Sequence, residues 1–160
     1  MELPTVGEQA PDFEALTDEG ESMRLSDHQG KVVVLYFYPR ADTPGCTKEA
    51  CGFRDDYSDY EDAGVVILGV SPDSVKDQAK FKKKFELPFM LLADEDHKIA
   101  DQYNVWGLKN FMGKEYEGVH RTTFLIDEVG KILAVFEKVK PAKHSEEILA
   151  SVPTGRTNIS

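Results

Sequence analysis

Val32-Val33-Val34-Leu35-Tyr36-Phe37-Tyr38 runs directly into Pro39-Arg40-Ala41-Asp42-Thr43-Pro44-Gly45-Cys46-Thr47-Lys48-Glu49-Ala50-Cys51. The first part is an unbroken apolar run, the pattern of a strand buried on both faces. Pro39 marks its end. From Cys46 to about Asp62 the chain turns polar, with Ala50, Phe53, Tyr57 and Tyr60 recurring every three to four residues, which predicts a helix. Thr43 suits the N-cap and Pro44 the first helical position, so Cys46 falls in the first turn. A buried strand hands over to a helix at a cysteine, and the rest of the chain is read outward from that junction.

Gly64 breaks the helical pattern, and Val65-Val66-Ile67-Leu68-Gly69-Val70 reads as a second buried strand. Ser71-Pro72 opens the next helix, with Ser71 as cap and Pro72 in the first turn. That helix runs to about Glu86, turning Val75, Ala79 and Phe85 to the core and Lys80, Lys82, Lys83 and Lys84 to solvent. A short strand, Phe89 to Leu92, and a short helix, Lys98 to Tyr103, follow. Asn104 to Gly118 shows no period and holds the only tryptophan, Trp106. Thr122 to Asp127 and Ile132 to Phe136 are strands joined by the hairpin turn Glu128-Val129-Gly130-Lys131. Ser145 to Val152 forms a last amphipathic helix.

The order is β-α-β, an α-containing insertion, then β-β-α. Parallel strands linked by a helical crossover, followed by an antiparallel hairpin, imply an α/β chain with a mixed β-sheet flanked by helices. This is the order of a thioredoxin-like fold. No repeat, linker or low-complexity segment divides the chain, so residues 1–153 are expected as one domain and 154–160 as a flexible tail.

The 160 residues are 41% hydrophobic and 30% charged, the composition of an ordinary globular domain. Nineteen basic against 29 acidic residues leave a net charge of −10, which repels nucleic-acid phosphates and anionic membranes. No stretch approaches the ~20 apolar residues of a bilayer span. Met1 to Thr5 carries neither a basic nor an apolar signal region, so a cytoplasmic location is the default, or an organelle if a transit peptide has been removed. His28, His97, His120 and His144 are scattered, with no metal-ligand spacing to the cysteines, and His120 lies beside Arg121. No glycine pattern suits a phosphate, nucleotide or flavin, so neither metal nor cofactor is expected. Tyr103, Trp106 and Phe111 suit either an apolar wall for a substrate or core packing.

Cys46 and Cys51 are the only cysteines. A bridge between them would close a very short loop and constrain the unfolded chain least, so stability is a poor reason for the pair. At a helix N-terminus the unpaired amides and the dipole favour a thiolate, the nucleophilic form. Placement alone leaves two readings open, this nucleophile and an inert buried cysteine.

The segment from Pro39 to Cys46 resembles the active-site signature of the peroxiredoxins: Pro, three residues, Thr, two residues, Cys. The C-x4-C spacing to Cys51 looks like the branch called bacterioferritin comigratory protein or peroxiredoxin Q. Ala10-Pro11-Asp12-Phe13, Val105-Trp106-Gly107 and Arg121-Thr122-Thr123-Phe124-Leu125-Ile126-Asp127 extend that resemblance over nearly the whole chain. It implies a thiol-dependent peroxidase of the atypical 2-Cys, thioredoxin-dependent type, reducing hydrogen peroxide and organic hydroperoxides.

By the same resemblance, Cys46 is the peroxidatic cysteine that becomes a sulfenic acid. Cys51 is the resolving cysteine that forms an intramolecular disulfide, re-reduced by thioredoxin or a similar dithiol protein. Thr43 would hydrogen-bond peroxide and sulfur, Pro39 would shield the pocket, and Arg121 would hold the sulfur anionic, with Glu49 a candidate to orient Arg121. Read as residues alone, Thr43 is equally a cap, Pro39 a strand terminator, Arg121 a surface charge and Cys51 a spectator. An intramolecular disulfide needs no second subunit, so a monomer is expected, with a dimer left open.

If Cys46 and Cys51 share one continuous α-helix, five residues give about 500° of rotation, roughly 7.5 Å of rise and about 8.6 Å between Cα atoms. A disulfide tolerates about 7 Å at most. Joining them would require the helix to open, which Gly45 and Gly52 would ease. Two other functions compete. A thioredoxin-like disulfide reductase is weakened because C-x4-C is not C-x-x-C. A non-enzymatic redox sensor or binding module would use the same Cys46–Cys51 switch to alter a partner surface.

Overall fold

A computed structural model describes residues 3–137 and 144–152. The tail expected at 154–160 lies outside the described residues. Nine strands and five helices follow one another as β1 (Glu14–Thr17), β2 (Ser22–Arg24), β3 (Val32–Phe37), α1 (Pro44–Asp55), α2 (Tyr57–Asp62), β4 (Val65–Ser71), α3 (Val75–Phe85), β5 (Met90–Ala93), α4 (Lys98–Gln102), β6 (Trp106–Phe111), β7 (Lys114–Val119), β8 (Thr122–Ile126), β9 (Ile132–Glu137) and α5 (His144–Ser151) among the described residues, with a 3₁₀ turn at Leu25–His28.

Seven strands form one sheet in the order β2-β1-β5-β4-β3-β8-β9. β3, β4 and β5 run parallel, while β8 and β9 add antiparallel on one side and β1 and β2 on the other. β3 lies at the centre, and every one of its residues is buried. Its side chains alternate between two cores. Val33, Leu35 and Phe37 join Leu68, Val70, Tyr103 and Phe124 on one face. Val32, Val34, Tyr36 and Tyr38 join Cys46, Ala50, Phe53, Tyr60 and Phe81 on the other. Cys46 is therefore anchored in an apolar layer against the sheet and stands where the chain leaves it.

The expected helix from Cys46 to Asp62 is two helices. Asp56 leaves helical geometry with φ −96° and ψ 7°, although its N–H still bonds the Gly52 carbonyl at 3.2 Å. The bend keeps Phe53 and Tyr60 on the same core, ring centroids 5.8 Å apart, and carries the Tyr60 hydroxyl to the Ser145 carbonyl at 2.8 Å.

The next helix begins at Val75, not at Ser71-Pro72. Ser71 closes β4 and donates its hydroxyl to Asp73 Oδ2 at 2.6 Å, while Ser74 is the cap and accepts the Asp77 N–H at 3.1 Å. Its fully buried positions are Gln78 and Phe81, whereas Val75, Ala79 and Phe85 are half-buried. A glutamine is affordable there because its amide donates to Ser71 Oγ and the Leu92 carbonyl and accepts from the Tyr38 hydroxyl. Of the four lysines expected in solvent, Lys82 is half-buried and pairs with Asp18 at 3.2 Å.

The aperiodic stretch 104–118 contains the two-stranded hairpin β6–β7, separate from the main sheet. The first four residues of β7 are exposed, so there is no in-out alternation for a pattern reading to find. β1 and β2 likewise leave little pattern to read, being strands of only four and three residues whose inward positions include Ala15 and Thr17. Among the described residues no helix is long and apolar enough to cross a membrane.

Candidate active site

Two segments, the loop after β3 and the residue before β8, meet beyond the carboxyl end of β3. The first, Pro39 to Thr43, is pinned from α3 and the loop before it: the Ala41 N–H donates to Asp73 Oδ2 at 2.7 Å, and Lys84 Nζ pairs with Asp42 at 2.8 Å. Asp42 adopts φ +60°, the left-handed turn that swings the chain into α1. Thr43 stands at the N-cap with an extended backbone and Pro44 follows at the first helical position. The Thr43 side chain makes no capping bond. Its hydroxyl donates instead to the Arg40 carbonyl at 2.8 Å. Cys46 is the third residue of α1 and only 1% exposed.

Arg121 enters from the residue before β8. Its Nη2 lies 3.3 Å from Cys46 Sγ, and its Nη1 donates to Glu49 Oε1 at 2.7 Å. One guanidinium thus bridges two groups a single helical turn apart on α1. Burial opposes the Arg121 charge, but Glu49 and Cys46 outweigh it and hold the guanidinium above its ordinary value. Glu49 is wholly buried. That burial pushes its carboxyl up to about 7, against the opposing pull of Arg121.

The site holds two residues that sequence reasoning did not select. His144, first residue of α5, is fully buried with Nε2 3.8 Å from Glu49 Oε2 and 2.7 Å from Thr123 Oγ1. Lys109 of β6 donates to the Val119 carbonyl at 2.9 Å. Burial and then Arg121 hold its ammonium below the ordinary lysine value, with Cys46 acting the other way. Nothing local marks either residue: His144 heads an ordinary amphipathic helix, and Lys109 sits in a stretch without period. Tyr36 lies beneath the site, and burial, then Tyr38, Glu49 and Cys46, keep its phenol neutral.

Beside this cluster a groove of about 730 Å³ is lined by Pro39, Arg40, Thr43, Trp106, Lys109 and Tyr116, among others. Trp106 is half-buried, stacked on His97 at 3.9 Å, with its indole N–H on Glu117 at 3.0 Å. Tyr103 is not part of that wall; it is buried in the core and its hydroxyl donates to the Pro11 carbonyl at 2.6 Å. His120 is exposed. Cys51 is half-buried and, like Cys46, a free thiol. Both lie on the uninterrupted α1, so the separation of about 8.6 Å expected for an intact helix applies.

The architecture and the cysteine at the start of α1 define a thioredoxin-like protein with a thiol site, and the chain belongs to the AhpC/TSA family, which matches residues 6–135. Within it the relatives are peroxiredoxins of the Bcp and PrxQ branch. Peroxiredoxin Bcp of Bacillus subtilis is 50% identical over 147 residues, 92% of this chain and 94% of that protein. PrxQ of Xylella fastidiosa superposes with a TM-score of 0.91 at 28% identity, covering 98% of this chain and 99% of that one. The bacterioferritin comigratory protein of Xanthomonas campestris, whose structure is described for alkyl peroxide reduction activity, superposes with a TM-score of 0.84 at 35% identity over 89% of this chain and 91% of that one.

Proposed function

We propose that this chain is a thiol peroxidase that reduces hydrogen peroxide and organic hydroperoxides through Cys46, with Cys51 as resolving partner. The observation that carries the reading is the Arg121 guanidinium, 3.3 Å from Cys46 Sγ and braced by Glu49 at the start of a helix. Cation, helix dipole and first-turn amides all stabilise negative charge that develops at this position. The thiolate attacks the terminal peroxide oxygen: the S–O bond forms, the O–O bond breaks, and sulfur supplies two electrons. The departing oxygen takes a proton and leaves as water or alcohol, its negative charge stabilised by Arg121 as it develops.

Thr43 sits at the groove edge to orient the peroxide, and Pro39 limits water. Glu49 positions Arg121. The Cys51 sulfur then attacks the Cys46 sulfenic acid, the S–S bond forms and water leaves. A dithiol protein such as thioredoxin returns both thiols. A monomer in the reducing cytoplasm completes the reading, and the alkyl peroxide activity described for the Xanthomonas campestris protein supports an organic substrate.

Resolution requires the first turns of α1 to open. Glu49 on that stretch faces His144 of α5, and further along a Cβ at Gly52 would stand 3.7 Å from Ser145 Cβ. Amide exchange tests this: residues 46–52 lose protection in the oxidised protein, and equal protection in both states refutes it. The functional test is an NADPH assay coupled through thioredoxin and its reductase. Cys46→Ser is inactive, and Cys51→Ser completes one oxidation and then stalls. A redox sensor would instead consume about one equivalent of peroxide and stop. Full turnover by Cys46→Ser would overturn the assignment.

A further inference from the structure

Glu49 presents one oxygen to Arg121. Its other oxygen, Oε2, has no hydrogen-bond partner among the described residues, and His144 Nε2 stands 3.8 Å from it. Both side chains are wholly buried. Nothing in the chemistry above uses His144. We propose that His144 is a positioning residue of the peroxide site: its Nε2–H favours the ionised form of Glu49, which fixes the Arg121 guanidinium on the Cys46 sulfur.

The tautomer follows from what each ring nitrogen faces. Nδ1 is buried without a hydrogen-bond partner among the described residues, while Nε2 lies 2.7 Å from Thr123 Oγ1. With the proton on Nδ1 the Thr123 hydroxyl donates to Nε2 and the Nδ1–H is unmatched; with it on Nε2 the N–H donates to Thr123 Oγ1 and the hydroxyl proton is the unmatched one, and the Glu49 oxygen 3.8 Å from Nε2 favours the second arrangement. The same N–H then adds a favourable dipole beside Glu49 Oε2. The ring cannot drift, because Phe53 and Phe136 pack edge-on against it at 5.9 and 5.7 Å. Burial, helped by Arg121, brings His144 down to about 4, so near neutral pH it offers a dipole and no charge.

Glu49, pushed up to about 7, sits where one polar neighbour decides its state. Among the described residues the other titratable groups around the pair are Arg121 before β8, Cys46 on α1 and Tyr36 on β3, whose phenol is neutral. Glu146 and Glu147 of α5 are exposed.

This inference rests on the peroxidase reading for its consequence, but its first measurement does not. Infrared titration follows the protonated carboxyl band of Glu49, assigned by its loss in Glu49→Gln. In His144→Phe the midpoint rises by about one pH unit or more, and in His144→Gln, which restores an N–H donor, it returns towards wild type. His144→Leu carries the same comparison if the phenylalanine does not fold. The second-order rate of Cys46 oxidation by hydrogen peroxide at neutral pH falls severalfold with the first substitution and recovers with the second. An unmoved midpoint overturns the coupling of His144 to Glu49. A moved midpoint with an unchanged oxidation rate overturns its reach to Cys46. Wild-type protein inert to peroxide would instead defeat the peroxidase reading and leave the titration result standing.

Discussion

Replacing Glu49 by glutamine should make stability, relative to wild type, climb as pH rises towards neutrality. Glu49 titrates near 4.5 when unfolded and about 7 in the fold, while His144 goes from 6.5 to about 4. Between pH 4.5 and 7 the folded Glu49 keeps a proton that the unfolded chain has lost, so its contribution to stability falls as pH rises. Between pH 4 and 6.5 the unfolded His144 holds a proton that the fold excludes, so its contribution rises with pH. Each gap is about 2.5 pH units, about 3 kcal/mol, and in the wild type the two slopes cancel over their overlap. Glu49→Gln removes the falling slope, and its stability relative to wild type climbs by about 3 kcal/mol across that overlap and up to pH 7. His144→Phe leaves the opposite slope. Urea unfolding at constant ionic strength from about pH 4 to 8 reads both. A Glu49→Gln curve parallel to wild type would refute the buried-pair electrostatics.

Three further outcomes follow from the same geometry. Arg121→Met removes the cation 3.3 Å from Cys46 Sγ and leaves Glu49 without its partner; peroxide oxidation of Cys46 should slow by about a hundredfold or more in stopped-flow measurements. Gly69→Ala would set a Cβ 2.9 Å from the ring of its cross-strand partner Tyr36, which is boxed in by Tyr38, Phe53 and Phe89. It should cost about 1–3 kcal/mol by urea unfolding. Tyr36→Phe deletes a buried hydroxyl that has no hydrogen-bond partner among the described residues, so stability should hold or rise by about 1 kcal/mol in the same assay.

Where an element's own residues carry its signal, the sequence was enough. The apolar run at β3 states that it is buried on both faces, and Thr43-Pro44 states that a helix starts there, because N-cap and first-turn preferences act within a few residues. The strands β8 and β9 and the helix α5 are legible for the same reason. The motif around Cys46 and the family resemblance it carries lie in one short segment. Other features depend on what lies opposite in space. Gln78 is buried because Tyr38, Ser71 and Leu92 satisfy its amide, which no helical period encodes.

The hairpin β6–β7 is not legible in the sequence because most of β7 faces solvent and leaves no alternation to read. The Arg121–Glu49 pair spans 72 residues of chain. His144 looks like one scattered histidine until α5 packs it against α1. Sequence thus determined which segment carries the candidate sulfur and the order of the elements that hold it. Tertiary structure alone decided which distant charges surround that sulfur. Local propensity acts along the chain over a turn or two, whereas the electrostatics of a buried site act across space between elements that only packing brings together.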